Sequence, residues 1–326
     1  MTAQTPPTAS QTLAALAELY WAFECHALPL SAVLAGQPPT DAVLFRESAA
    51  DHQRRDHDAA QLLQQAVQID AGTLSAQERA TLALIRRELT GLRAQHAVDS
   101  WQRPWLFPAG PDFTAMFWAN STSIGDASAA ALYVDRLAGL PGYLRDVQSN
   151  IEAGHASGYR YPRMVLQGAV GNTRGILGAP PEASAWLSPF KRSPAATQTA
   201  VLAQADRALG VVSEALTPAL QAWAAFLEGL VARGARESLS CVDGPAGAAY
   251  YRTWVRHFTS TTDDADEVHA LGLAEVARLE REIEAVARDA GFGSDVPGYR
   301  AFLASDAQFI APSRDALREG IEALCK

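Results

Sequence analysis

Ser75-Ala76-Gln77-Glu78-Arg79-Ala80-Thr81-Leu82-Ala83-Leu84-Ile85-Arg86-Arg87-Glu88-Leu89-Thr90-Gly91-Leu92 reads as a helix from its first residue. Ser75 and Glu78 form a Ser-x-x-Glu capping box, in which each side chain satisfies a backbone N–H that the first helical turn leaves without a partner. Leu82, Ile85, Leu89 and Leu92 then recur at the three-four spacing that puts them on one face. The pattern repeats outward along the chain. Tyr133, Leu137, Leu140, Leu144, Val147 and Ile151 keep the same spacing across Gly139-Leu140-Pro141-Gly142, where proline predicts a kink or break. Ser193-Pro194 predicts a helix start, Thr217-Pro218 a restart, and Gly234 an end. Asp264 and Glu267 predict a second capping box, leading a helix whose Val276, Leu279, Ile283 and Val286 are expected to face a core, with Glu284 and Arg288 as a surface pair. Alternating β-branched and aromatic runs are scarce, so the expected fold class is all-α, predominantly helical with little sheet.

The rest of the chain fits this frame. Residues 1–10, rich in Thr, Pro and Gln, predict a flexible tail, and 11–326 a helical body. Loops are expected at 103–112 and 178–194. The first is expected to be packed down by Trp101, Trp105, Phe107, Phe113, Phe117 and Trp118. Ser313 opens a last helix with Leu317, Ile321 and Leu324 in phase. The sequence stops at Lys326 without a terminating Gly or Pro, as if cut within the element.

Composition limits the function classes. With 48% hydrophobic and 19% charged residues the chain is expected to pack a core. A formal net charge of −9 argues against nucleic acid or an anionic membrane as partner. The first positive side chain is Arg46, no uninterrupted apolar run reaches bilayer length, and a cytoplasmic location is expected. Cys25, Cys241 and Cys325 lack any Cys-x-x-Cys spacing and read as free thiols.

Seven histidines include no His-Glu-x-x-His pair, and neither a Gly-x-Ser-x-Gly elbow nor a glycine-rich phosphate loop occurs. No complete metal or nucleophile site is therefore encoded by motif, and no cofactor is expected in this chain. Glu152/His155 and Asp266/His269 carry the carboxylate-to-imidazole spacing of helical di-iron sites, but each pair also reads as surface hydrogen bonding. His96 is expected at the core edge, and His52 and His57 on a solvated face of one helix. Tyr250, Tyr251, Arg252 and His257, in a run of aromatic and cationic residues, are candidates to face a substrate cleft; the same aromatics also fit a core.

Several segments together resemble a known family. Tyr250-Tyr251-Arg252, the block from Thr261-Thr262-Asp263-Asp264 through His269-Ala270-Leu271-Gly272 to Val276, and Gly291-Phe292 are similar to the bacterial family catalogued as domain of unknown function 885. So are Leu140-Pro141-Gly142-Tyr143-Leu144 and the stretch from Ile151-Glu152 through Gly158-Tyr159 to Pro162. Asp264-Ala265 stands where that family usually has Thr-Pro, but Asp is as good an N-cap. The resemblance implies a chain about half the family's length, similar to the N-terminal half of gluzincin-type helical zinc peptidases. In that reading zinc and the general base belong to a C-terminal half. That missing half is the expected partner, and a peptide or other small amide the expected substrate. His269 joins Tyr250, Tyr251, Arg252 and His257 as a cleft candidate. The alternative is a self-contained helical binding or scaffold protein without activity; a di-iron bundle is more remote.

Overall fold

The computed structural model describes residues 7–36 and 42–325. Among them the helices are α1 (Ala9–Ala27), α2 (Pro29–Leu34), α3 (Ala49–Val67), α4 (Ala76–Ala97), α5 (Pro111–Ser121), α6 (Ala127–Ala156), α7 (Arg163–Ile176), α8 (Ser188–Arg192), α9 (Thr199–Val211), α10 (Thr217–Ala232), α11 (Gly247–Thr259), α12 (Ala265–Asp289), α13 (Val296–Ser305) and α14 (Arg314–Leu324). The extended pairing in the described residues is a single parallel bridge between Pro162 and Arg236, so the fold is all-α as expected. Where one helical body is expected over 11–326, the chain forms two compact units, Met1–Phe258 and Thr259–Lys326. Most of the expected tail lies outside the described residues. Its last part is already helical, because Thr8 and Gln11 close a capping box at the start of α1.

Two apolar clusters hold the first unit. Leu82, Ile85 and Leu89 of α4 pack with Leu13 and Leu16 of α1 and with Ala59, Leu62 and Ala66 of α3. The Ser75 hydroxyl accepts from Glu78 N–H at 3.3 Å and the Glu78 carboxylate accepts from Ser75 N–H at 2.8 Å, which fixes the start of α4. The larger cluster surrounds α6, whose Tyr133, Leu137, Leu140, Leu144, Val147 and Ile151 are all buried. The expected break at Pro141 does not occur; α6 is one helix of 30 residues. An interior proline costs about 3 kcal/mol, whereas each buried leucine contributes about 1.5–3 kcal/mol. The leucines flanking Pro141 therefore outweigh the lost hydrogen bond.

Ser193 is not the expected N-cap. Its hydroxyl donates to the Ile124 carbonyl at 2.7 Å and accepts from Ala195 N–H, and the next helix begins at Thr199. The expected restart at Thr217-Pro218 is where α10 begins, and α10 ends at Ala232, two residues before Gly234; a π turn at Val212–Leu216 joins it to α9 without a gap. Among the described residues, Thr199–Ala232 is long and apolar enough to cross a bilayer by length and composition, a property that a search for uninterrupted apolar runs does not register. Its Val201, Ala208, Val212, Leu216, Trp223 and Leu227 are buried in the core of the first unit.

The 103–112 loop is held differently from expectation. Trp105, Phe107, Phe113 and Phe117 are exposed, and only Trp118 of the expected aromatics is fully buried. The loop is instead tied by Tyr161, whose hydroxyl donates to the Pro104 carbonyl at 2.9 Å, by Asn172 donating to the Pro108 carbonyl at 2.8 Å, and by the buried Leu106.

At the start of α5, Asp112 is buried and its Oδ2 lies 2.6 Å from the Thr173 hydroxyl, which is also 3.0 Å from the Ala169 carbonyl. The Thr173 hydroxyl donates its one proton between these two acceptors, with the shorter contact to Asp112. Burial raises the Asp112 pKa above its ordinary value of 3.8, against the opposing hydrogen bonds from Thr173 and the Phe113 backbone. For an acid whose folded pKa is raised, the stabilising contribution is fully present below 3.8 and is lost as pH rises through the folded value. Asp112→Asn is therefore expected to flatten the fall in stability as pH rises above that range. Urea unfolding of both proteins across pH checks this, and parallel curves would refute it.

In the second unit, Asp264 accepts from Asp266 and Glu267 N–H at 3.0 Å and closes the expected capping box of α12. The expected core face is a correction, since Val276, Leu279 and Val286 are exposed and Ile283 is only partly covered. Among the described residues of this helix Ala287 alone is buried. Its surface pairs join Arg278 to Glu275 and Glu282. The apolar stripe of α14 is exposed too, with Leu324 at 88%.

Candidate functional site

A cavity of about 230 Å³ opens in the first unit, lined by residues around the start of α3, the end of α4, the 100–105 segment and α11. Each part of the lining is fixed by backbone contacts. Asn150 of α6 donates to the Glu47 carbonyl at 2.6 Å, just ahead of the Ser48 cap of α3. Arg55 donates to the carbonyls of Ala27 at 3.0 Å and Arg46 at 2.8 Å, holding the segments on either side of α2 against α3. The Ser100–Gln102 turn lies flush on α6, where Gly154 admits the Gln102 carbonyl so closely that an added Cβ would sit 2.5 Å from it.

Inside the lining, His52 is 8% exposed and stacks on Trp101 with ring centroids 5.4 Å apart. Its Nδ1 is 3.4 Å from Arg55 Nη1, a donor, which assigns the neutral ring proton to Nε2. That nitrogen lies 2.9 Å from Glu47 Oε2, near enough for an ion pair if the ring is charged, but off the axis a hydrogen bond needs. Arg103 is 6% exposed; its Nη2 donates to the Pro245 carbonyl at 2.7 Å, and its guanidinium lies 4.9 Å and 5.0 Å from the ring centres of Tyr159 and Tyr250. Arg103 Nη1, Arg55 Nε, Ser100 Oγ and Trp101 Nε1 are buried without a hydrogen-bond partner. Trp254 Nε1 lacks a well-aligned partner and is engaged only weakly by the Tyr250 hydroxyl. Native proteins rarely bury several such groups together. Here they collect around one cavity.

The residues picked out from the sequence scatter. Tyr250 lies beneath Arg103, and its hydroxyl is pushed up to about 12, chiefly by burial. His257 borders the lining: its Nδ1 is 3.3 Å from Gln95 Nε2, its carbonyl accepts from Arg87 at 2.7 Å, and its ring meets the Trp254 ring edge-on. Tyr251 and Arg252 are exposed on α11, and His269 is exposed on α12 in the other unit. His96, expected at the core edge, is partly buried and lines the cavity; His57 is exposed as expected. His52 is the correction, since it faces inward where a solvated face was expected: Ala59, Leu62 and Ala66 set the buried side of α3, and His52 continues that side two helical turns before Ala59. Arg55, Ser100, Trp101 and Arg103 had no place among the expected site residues. The run Trp101-Gln102-Arg103-Pro104-Trp105, a cation between two indoles, is the signal that could have found them.

Neither di-iron pair forms a donor set. Glu152 is held by Arg233 through two contacts of 2.8 and 3.1 Å, which keep its carboxyl below the usual range, and Asp266 and His269 are exposed on α12. Among the described residues no three His, Cys, Asp or Glu side chains come close enough to hold a metal ion.

Two solved structures share the fold. One is described as "the putative lipoprotein from Colwellia psychrerythraea", with a TM-score of 0.79 and 17% identity, covering 97% of this chain and 57% of that one. The other is "a putative lipoprotein of unknown function from Shewanella oneidensis", with a TM-score of 0.58 and 14% identity, covering 97% of this chain and 52% of that one. The chain thus spans little more than half the length of either. No curated protein matches it. The model of the family described as "Bacterial protein of unknown function (DUF885)" matches residues 29–326, and the chain belongs to that family.

Proposed function

We propose that this chain is the ligand-holding part of a larger metallopeptidase-like protein, forming one wall of a cleft for a peptide or other small amide. The cavity carries this reading, because it gathers buried donors that the fold itself leaves without acceptors. The peptidase part rests on the resemblance of the Tyr250–Val276 region and is supported by the length of both solved neighbours, of which this chain accounts for 57% and 52%. Zinc has no donor set among the described residues, so no catalytic step is assigned to them. The expected cytoplasmic location loses favour to the cell envelope, given the lipoprotein descriptions of both neighbours.

The test is hydrolysis of a mixed peptide library, with zinc analysis, by this chain and by the longer product of its reading frame. The longer product is expected to hydrolyse peptides and hold zinc, and this chain to do neither. Hydrolysis or stoichiometric zinc in this chain alone, or an inactive, zinc-free longer product, would refute the proposal. A second reading, a binding or scaffold module, is favoured by the exposed apolar faces of α12 (Leu273, Val276, Leu279) and α14 (Leu317, Ile321). An inactive longer product would select it.

A further inference from the structure

We infer that the cavity recognises the carboxylate of a small ligand that also carries an apolar or aromatic group, as the terminal residue of a peptide does. This deepens the reading of the cavity as a ligand site and does not depend on hydrolysis.

Charge supplies the first argument. Two guanidinium groups, Arg55 and Arg103, line the cavity with one carboxylate, Glu47. Glu47 is committed to one side of it, 2.9 Å from His52 and 3.9 Å from Arg55. Arg103 has no carboxylate within ion-pair distance among the described residues, and one of its terminal nitrogens has no acceptor. A cation 6% exposed, held only by a carbonyl and two ring faces, is costly to bury without a counterion. An anionic ligand would supply one, and a guanidinium suits a planar carboxylate in particular.

Hydrogen-bonding capacity supplies the second. Trp101 Nε1 and Arg55 Nε are unmatched donors on residues of the same lining, and Ser100 Oγ, which can donate or accept, is unmatched beside them, which favours an occupant that brings acceptors. The rest of the wall is Leu92, Pro104 and the indoles of Trp101, Trp105 and Trp254, which suits a ring or aliphatic chain better than a bare ion. At about 230 Å³ the cavity is below the usual range for drug-sized ligands, about 300–1,000 Å³, so it admits a small molecule or one end of a longer one.

All seven tryptophans lie in the first unit and three of them line the cavity, so indole fluorescence can follow occupancy. The chain is titrated with N-acetyl-phenylalanine, its amide and inorganic phosphate, with calorimetry as a second readout. The acid is expected to bind at least about tenfold more tightly than the amide, a difference of about 1.4 kcal/mol. Arg103→Lys should remove most of that preference, and Trp105→Ala, at an exposed rim position, should weaken acid and amide alike. Because Arg103 also anchors Pro245, the comparison of acid with amide on the unaltered chain decides the matter even if the Arg103 variant does not fold. Equal binding of acid and amide overturns the carboxylate assignment while leaving a ligand site. Phosphate binding as tightly as the acid transfers the site to phosphate, and binding of none of the three removes it. Peptidase activity of the longer product enters none of these outcomes.

Discussion

Trp118→Ala is expected to destabilise the first unit by about 3–5 kcal/mol, the usual cost of emptying a large aromatic site in a packed core. Trp118 is 1% exposed and stacks on Tyr133 of α6 at 5.0 Å, and Tyr133 in turn donates its hydroxyl to the Trp186 carbonyl at 2.7 Å. Removing the indole undoes the packing that joins α5 to α6 and leaves a void that neighbouring helices cannot fill without moving. The measurement is denaturant unfolding followed by the remaining indoles, which report the first unit alone. Far-UV circular dichroism sums over both units and does not define a single free energy if they unfold separately. A loss below about 1 kcal/mol would show that α5 is not part of the cooperative core.

Gly154→Ala is expected to cost about 1–3 kcal/mol, the range for forcing an extra methyl into a packed site. Replacing glycine in a helix by alanine would otherwise gain about 1 kcal/mol. At this position the new methyl meets a backbone carbonyl, that of Gln102, which cannot swing aside as a flexible side chain would. Gly171→Ala on α7 is the control, because nothing lies within 4 Å of its added methyl; it should be neutral or mildly stabilising. The Gly154 variant should also lose affinity for the cavity's ligand, since the displaced turn carries Ser100 and Trp101. A Gly154 variant as stable as the control would mean that the turn shifts freely on α6.

Helix content and capping were legible in local sequence, because a capping box and a three-four stripe are properties of a few neighbouring residues. Ser75 and Asp264 start their helices as expected for that reason. What failed depended on distant partners. Pro141, expected to kink or break its helix, does not end it, since surrounding leucines hold it together, and Ser193 was expected to cap a helix when its hydroxyl belongs to Ile124. The α12 stripe has the period of a core face but lies exposed, and period alone does not say what an apolar face packs against. Recognition of the family succeeded on motif spacing, whereas the cavity did not show itself. His52, Arg103 and Trp254 come from parts of the chain that only the fold brings together, and His52 was lost in a stretch of charged residues that resembles solvated surface.

The unbroken course of α6 puts a continuous helical rod, about 32 Å long at 1.5 Å per residue, between the Tyr133 stack and Gly154 beside the cavity. Such a rod behaves as a lever: a tilt small enough to be absorbed where Tyr133 packs is magnified at the opposite tip. Substitutions far from the cavity would then alter its shape without touching any residue that lines it, and screens for altered ligand preference should return changes near Tyr133 as well as at the rim.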